Sequence, residues 1–380
     1  MTLPQLYWDW GAAYDLFVSL VVLHKPAEFG VRGAWAAGVR ARIPAPQRET
    51  LEQSQALLDV PFHWIYSLPK PKDGDTLLWA LAQVPPAERL PLLAFAPHWP
   101  PDDMATTLRA VATRGTWDER DLAVVQAAYR QEYASQDQKS PQELSVLLDL
   151  WARAREFGEQ YLEALSVYHE VFFAEEERRI RPALRVALRQ AQELAGQMEL
   201  LDLLEELSQG IRYDEWTGAP ELVLAPSYWC TPLMYLGTVT ARRELRLFGA
   251  RPPDSSLVPG EAVPDALVRS LKALSDPSRL RILHYLAQEP LTPAQLSRRL
   301  RLRVPTVIHH LKILRLAGLV QLSVSDGREE RLYAARPEAV TTAFDSLRGF
   351  LGTEQDIVPG AAPVREGEYD ASQIEGAIGR

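Results

Sequence analysis

Thr306-Val307-Ile308-His309-His310-Leu311-Lys312-Ile313-Leu314-Arg315-Leu316-Ala317-Gly318-Leu319-Val320 decides the reading of this chain. Val307, His310, Leu311 and Leu314 fall at i, i+3, i+4 and i+7. They form one mostly apolar stripe of a helix, which predicts its buried face. Pro305, Ile308, His309 and Lys312 repeat that spacing on the opposite side and are predicted to face outward. Gly318 supplies the stop, because glycine readily enters the left-handed conformation that ends a helix. The period then drops from 3.6 to 2. Val320, Leu322 and Val324 alternate with Gln321 and Ser323. Ser325-Asp326-Gly327-Arg328 carries the Asp-Gly signal of a tight turn, and Arg331-Leu332-Tyr333-Ala334 returns as a second strand.

Reading upstream, Asp276-Pro277 starts another helix, with aspartate as N-cap and proline at the first helical position. Leu280, Leu283 and Leu286 are its predicted buried stripe. Thr292-Pro293-Ala294-Gln295 is a capping box and opens a further helix. Before these, a helix is predicted from about Pro264 to Ser275, with Leu267, Leu271 and Leu274 on one face. A closing helix begins at Pro337, with Val340, Phe344, Leu347 and Leu351 on one face. Four helices, a hairpin and a closing helix make a winged helix-turn-helix over residues 264–352. Such a fold places one helix in the DNA major groove.

The charge distribution agrees. The chain carries a net −9, yet residues 262–340 hold 13 Lys and Arg against 7 Asp and Glu. Residues 1–261 hold 25 against 36. One basic module in an acidic chain points to double-stranded DNA as partner. Arg298, Arg299, Arg301 and Lys312 are candidate phosphate contacts, and Arg303 a candidate for phosphate or guanine. Thr306, near a helix N-terminus, can reach a phosphate, where the helix dipole also favours an anion. His309 is a candidate phosphate or base contact, whereas His310 is expected to pack structurally. Ile308 cannot hydrogen-bond a base edge and can only touch a thymine methyl or fill space. Arg328 and Arg331 would sit on the wing and enter the minor groove.

Leu274-Ser275-Asp276-Pro277-Ser278-Arg279-Leu280-Arg281-Ile282-Leu283 and the stretch 306–320, in that order and with the hairpin after them, resemble the ArsR family of bacterial transcriptional regulators. The resemblance covers about 80 of the 380 residues. It implies a homodimer joined through the first and last helices of the module, which places Leu267, Leu271, Phe344, Leu347 and Leu351 at the dimer contact. It also implies that the helix from near Pro305 to Gly318 reads the operator. The sequence departs from the family pattern at Arg303, Val304, Pro305 and Ile308, where small polar residues are usual, so fewer polar base readers are expected. Family members that sense metals use paired cysteines, or His and carboxylate pairs on the last helix. Here Leu296-Ser297-Arg298-Arg299 has no cysteine, and Thr341-Thr342-Ala343-Phe344-Asp345 has one carboxylate and no histidine. No metal site and no cofactor are predicted.

The remaining residues read as a mainly α chain. A helical regulatory or dimerisation domain is expected over 1–252, with a small β element at 211–252, then a linker at 253–263 and a disordered tail at 353–380. Ser140-Pro141-Gln142-Glu143 and Thr116-Trp117-Asp118-Glu119 read as capping boxes. A long helix after Pro141 carries a seam at Leu147, Trp151, Ala154, Gly158, Tyr161, Leu165, Tyr168 and Phe172. That seam suits either a coiled-coil contact or, more simply, the core face of a bundle. Pro182 is expected to end or kink it. Glu221–Ala225 and Glu244–Phe248 read as strands.

The apolar run Leu16–Leu23 is about 12 Å long as a helix, too short to span a bilayer, and predicts a buried helix with no membrane association, while the single cysteine suits a reducing, cytoplasmic home. Cys230 is the sole cysteine and is read as a small buried hydrophobe. Trp8, Trp10, Trp35, Trp64 and Trp79 suit a core, or an apolar pocket for a small-molecule effector. No phosphate loop, nucleophile elbow or H-E-x-x-H occurs, so no enzyme is expected. The function predicted is a dimeric sequence-specific transcriptional regulator, a repressor, with an effector-sensing or dimerising N-terminal domain. The alternative is an interaction protein that uses the winged helix as a docking platform without binding DNA.

Overall fold

The computed structural model describes residues 3–96, 103–132, 139–324 and 331–352. The expected hairpin turn with Arg328 and the expected tail at 353–380 lie outside the described residues. The chain opens with β1 (Gln5–Trp8) and α1 (Ala12–His24). Five short helices follow: α2 (Gly33–Ala41), α3 (Ala45–Leu57), α4 (Phe62–Ser67), α5 (Gly74–Ala82) and α6 (Pro86–Ala94). Then come α7 (Asp103–Arg114), α8 (Glu119–Glu132), α9 (Pro141–Ala152), α10 (Ala154–Tyr168), α11 (Ala174–Ala195) and α12 (Leu200–Leu207). Four strands follow: β2 (Ile211–Tyr213), β3 (Glu221–Ser227), β4 (Tyr235–Thr240) and β5 (Arg243–Gly249). The last part holds α13 (Asp265–Leu274), α14 (Pro277–Leu286), α15 (Pro293–Leu300), α16 (Val304–Leu316), β6 (Val320–Val324), β7 (Leu332–Ala335) and α17 (Pro337–Phe350). The fold is mainly α, as the sequence predicts.

The apolar run at 16–23 sits inside α1, whose residues Leu16, Val18, Val22 and Leu23 are fully buried. The seam also turns inward: Leu147, Trp151, Ala154, Tyr161, Leu165, Tyr168 and Phe172 all belong to one intramolecular core. A Cβ on Gly158 would lie 2.0 Å from the Pro86 carbonyl oxygen, so the small residue is what lets α10 meet α6. The expected single long helix is instead broken at Arg153 and passes through a π-helical turn at His169–Phe173. Pro182 does not end it. The proline forfeits one backbone bond inside α11, while Ile180 and Leu184 on either side are fully buried and hold the helix in register. The expected Thr116 capping box is two residues off. Asp118 caps α8, accepting from the Asp121 backbone N–H at 3.2 Å, and Asp121 accepts from the Asp118 N–H at 2.9 Å. Ser140–Glu143 forms its box as predicted.

The expected β element is larger than its two legible strands. Its order is β1-β3-β5-β4, with β1, β3 and β5 parallel and β4 antiparallel. Both faces are covered: Val223, Ala225 and Leu245 join the helical core, and Leu222, Leu224 and Phe248 pack under α11 and α12. That two-sided burial explains the unbroken apolar run at 222–225. Cys230 is fully buried at the end of this layer, as expected.

Residues 211–213 depart from the expected plan. The expected β element at 211–252 includes them, yet β2 pairs in parallel with β6, Ile211 opposite Leu322 and Tyr213 opposite Val324. The sheet of the C-terminal part therefore reads β2-β6-β7. The 253–263 linker is also docked rather than free. Leu257 is buried, its carbonyl accepts from Arg179 at 3.1 Å, and its N–H donates to Asp265 at 2.7 Å.

Candidate nucleic-acid interface

The second core gathers Ile282, Leu283, Leu286, Leu296, Leu300, Val307, Leu311 and Leu314 from α14, α15 and α16. The start signals work locally as expected. Asp276 accepts from the Arg279 N–H at 2.9 Å, and Thr292 and Gln295 close their capping box. Gly318 has φ +71°, the left-handed stop predicted for α16. The predicted stripe of α14 needs one correction. Ile282 replaces Leu280, which is 48% exposed, because positions 282, 283 and 286 share an arc of about 100° on the helix and 280 lies beyond its edge. On α13 the most buried positions are Leu267, Ser270 and Ala273, with Leu271 and Leu274 half-buried.

α16 presents two faces as its spacing predicts. Val307, Leu311 and Leu314 are buried, while Pro305, Thr306, Ile308, His309 and Lys312 are exposed. His310 is half-buried, and its Nδ1 is buried without a hydrogen-bond partner. Burial lowers its pKa, which favours the neutral ring. No side chain caps the N-terminus of α16. The first N–H groups, on Val304 and Thr306 since Pro305 has none, therefore lack a side-chain acceptor, and a helix N-terminus of this kind suits an anion.

The expected cations lie on α15, in the turn after it and on α16. Arg298, Arg301, Arg303 and Lys312 are exposed and form no ion pair among the described residues. Arg301 occupies a left-handed C-cap at φ 58° and Arg303 the N-cap of α16, so the turn between the helices projects both. Arg299 differs. It is bound to Glu289 at 2.6 Å and lies over the Tyr285 ring, which leaves it less available to a phosphate. Arg331 is exposed at the start of the second wing strand, and Arg328 lies outside the described residues.

Two arginines of the module have a use the sequence does not announce. Arg315 donates to the carbonyls of Ser208 and Gln209 at 2.6 and 2.9 Å, and Arg336 donates to Gln209 at 2.9 Å. Gln321 adds a bond to Glu205 at 2.8 Å. Gln209 sits at φ 56° and Gly210 at φ 105°, so the chain turns sharply and aims its carbonyls at these guanidinium groups. Burial lowers the pKa of Arg315 to about 10, with Arg336 nearby adding to the shift. It still remains charged at neutral pH. These bonds and the β2–β6 pairing fasten the wing to the N-terminal part.

Of the residues expected at a dimer contact, Phe344 and Leu351 are 47% and 61% exposed, and Leu347 and Leu271 are half-buried. Leu267 is buried within the chain. Phe350, also exposed, extends the apolar face of α17. Of the tryptophans read as core or pocket, Trp64 is buried, but Trp79 is 61% exposed. Among the described residues, no group of three His, Cys, Asp or Glu side chains that could hold a metal occurs. No helix of the described residues is long and apolar enough to cross a membrane.

Comparison with known proteins bears on this module. Residues 276–321 match the family model of bacterial regulatory proteins of the arsR family. That span runs from the N-cap of α14 into β6. A solved crystal structure of an ArsR family transcriptional regulator is similar at 23% identity, over 24% of this chain and 95% of its own, with a TM-score of 0.21. No curated protein matches the chain. The stretch 276–321, with the capped α14 and α15, the two-faced α16 and the start of the following strand, is thus similar to the helix-turn-helix of the arsR family.

Proposed function

We propose that this protein is a homodimeric, sequence-specific DNA-binding transcriptional regulator of the cytoplasm, acting as a repressor, and not an enzyme. The observation that carries this reading is the outward face of α16. Thr306, Ile308, His309 and Lys312 stand on one side of a helix whose other side is core, and Arg298, Arg301 and Arg303, exposed and without an ion pair among the described residues, precede them on α15 and in the turn into α16. α16 lies in the major groove. Arg298, Arg301, Arg303 and Lys312 neutralise phosphates, and Thr306 with the open helix N-terminus holds another. His309 reaches a base edge or phosphate. Ile308, half exposed, packs on a thymine methyl. Arg328 and Arg331 follow the wing toward the minor groove. The exposed apolar side of α17 joins two protomers, so that two copies of α16 meet successive major grooves. The N-terminal part senses an effector and passes its state on through the docked linker and the clamped wing.

The test is selection of genomic fragments by the full chain, followed by footprinting of the recovered duplex. The reading predicts two protected half-sites about one helical turn apart. A second reading rests on the apolar tip of α16, where Val304 and Ile308 are exposed: a docking platform for a protein. It predicts no protected duplex and a partner whose binding varies little with salt.

A further inference from the structure

The polar cleft between α3 and α10 closes its own hydrogen bonds, Gln47 to Glu163 at 2.8 Å. The buried Asp15 and Lys72 clusters are satisfied internally. A third feature is different. A cavity of about 320 Å³ lies where the chain around Gly30 and the linker at 257–263 meet α13 and α16. Its wall is apolar, with Val31, Val258, Val268, Ile313 and Leu316 among the lining residues. Two acids line it, and both are committed. Asp265 accepts from the Leu257 N–H and from Ser256, and faces Arg251 at 3.3 Å. Glu261 pairs with Arg32 at 2.9 Å.

Two cations line it without commitment. Among the described residues, neither Arg269 nor Lys272 forms an ion pair, and the Arg269 Nε is buried without a hydrogen bond. Arg40, Arg246 and Arg251 also hold buried guanidinium nitrogens without a hydrogen-bond partner, but of these four arginines Arg269 alone lines this cavity, and a buried unpaired donor calls for an explanation. Gly30, at φ +68°, would bring a Cβ to 3.1 Å from Arg269 Cδ. The glycine thus both ends its turn and lets the arginine stem lie flat along the wall.

We propose that this cavity binds a small amphipathic organic anion, its carboxylate or equivalent group on Arg269 and Lys272 and its apolar body against Val31, Val268, Ile313 and Leu316. A cavity of this size, mostly apolar with a few convergent polar groups, is of the kind that holds small ligands. Its position gives the ligand leverage. Ile313 and Leu316 lie one turn beyond His309 and Lys312 on the same rigid helix, and Arg269 and Lys272 lie on α13. Occupancy therefore shifts α16 relative to the N-terminal part and changes affinity for DNA. This rests on the regulator reading above for its consequence, but not for the binding itself.

The probe is octanoate, titrated calorimetrically into the full chain, with octanamide as the neutral counterpart. Octanoate is expected to bind one per chain, at least about tenfold more tightly than octanamide. Arg269→Met, which keeps the stem and removes the charge, abolishes that preference. Val268→Phe, which fills the cavity and keeps the charge, weakens both ligands about tenfold or more. Unchanged melting temperatures show that both variants fold. No saturable octanoate binding, or a preference that survives Arg269→Met, overturns the site. With octanoate bound, DNA affinity is expected to shift by about fivefold or more, and an unchanged affinity overturns the coupling. A chain that binds DNA but no octanoate refutes the cavity alone. One that binds octanoate but no DNA refutes the regulator reading alone.

Discussion

Lys312→Ala is the sharpest probe of how the outward face of α16 is used. Lys312 is exposed and unpaired among the described residues, so its removal leaves the fold within about 0.5 kcal/mol of its stability. If Arg298, Arg301, Arg303 and Lys312 of each protomer neutralise one phosphate apiece, a dimer makes about eight contacts, and log K against log salt slopes about −7. The variant loses about two contacts, and the slope falls to about −5.5. Between about 50 and 200 mM salt the wild type then loses about 2 × 10⁴ in affinity and the variant about 2 × 10³, a tenfold divergence. Fluorescence anisotropy of a labelled duplex across that range reads both slopes. Arg299→Ala is the internal control, since Arg299 is held by Glu289 and should alter the slope much less. Equal slopes for the Lys312→Ala variant and the wild type, or a larger change from Arg299→Ala, would refute the assignment of phosphate contacts.

Three further outcomes follow from the packing. Arg315→Met strands the Ser208 carbonyl and weakens the clamp on Gln209, costing about 1–3 kcal/mol locally. Hydrogen exchange should quicken at Ile211–Tyr213 and leave α10 unchanged. Gly318→Ala meets no close neighbour, its nearest being Arg336 Nη1 at 4.0 Å. Its cost is therefore the left-handed backbone alone, about 1–2 kcal/mol in denaturant unfolding. Asp15 is fully buried, and burial raises its carboxyl from 3.8 to about 7. Because the native state then binds the proton more tightly than the unfolded chain, Asp15 contributes most below about pH 4. That contribution is lost as pH rises through about 7. Asp15→Asn should flatten the decline over that window in pH-resolved melts, and an unaltered decline would contradict this.

What the sequence displays and what it hides divide along one physical line. Asp276, Thr292, Ser140 and Gly318 act on backbone groups within a few residues, so their signals are readable in one dimension. The two faces of α16 follow from 3.6-residue geometry and are equally legible, including the separate fates of His309 and His310. β1 is four residues long, and its partner β3 lies more than two hundred residues away. β2 is three residues long and pairs with a strand over a hundred residues on. Neither pairing leaves a local mark. Arg315 and Arg336 looked like any basic residues of a DNA-binding module, because what distinguishes them is two carbonyls from a distant turn. Leu280 and Leu271 show the limit of stripe reading. The spacing selects a face to within a turn, and the elements packed against it decide which residue of that face reaches the core. The cavity at Arg269 was not legible, since its walls come from three separate stretches of chain.

The central claim is that the exposed face of α16 reads DNA sequence. The most direct measurement is anisotropy of the selected duplex with excess unrelated competitor, for the wild type and for the His309→Ala, Lys312→Ala double variant. Binding that resists competitor in the wild type and is lost in a normally folded variant is the predicted result. Binding that competitor removes, or that the double variant retains in full, would contradict it.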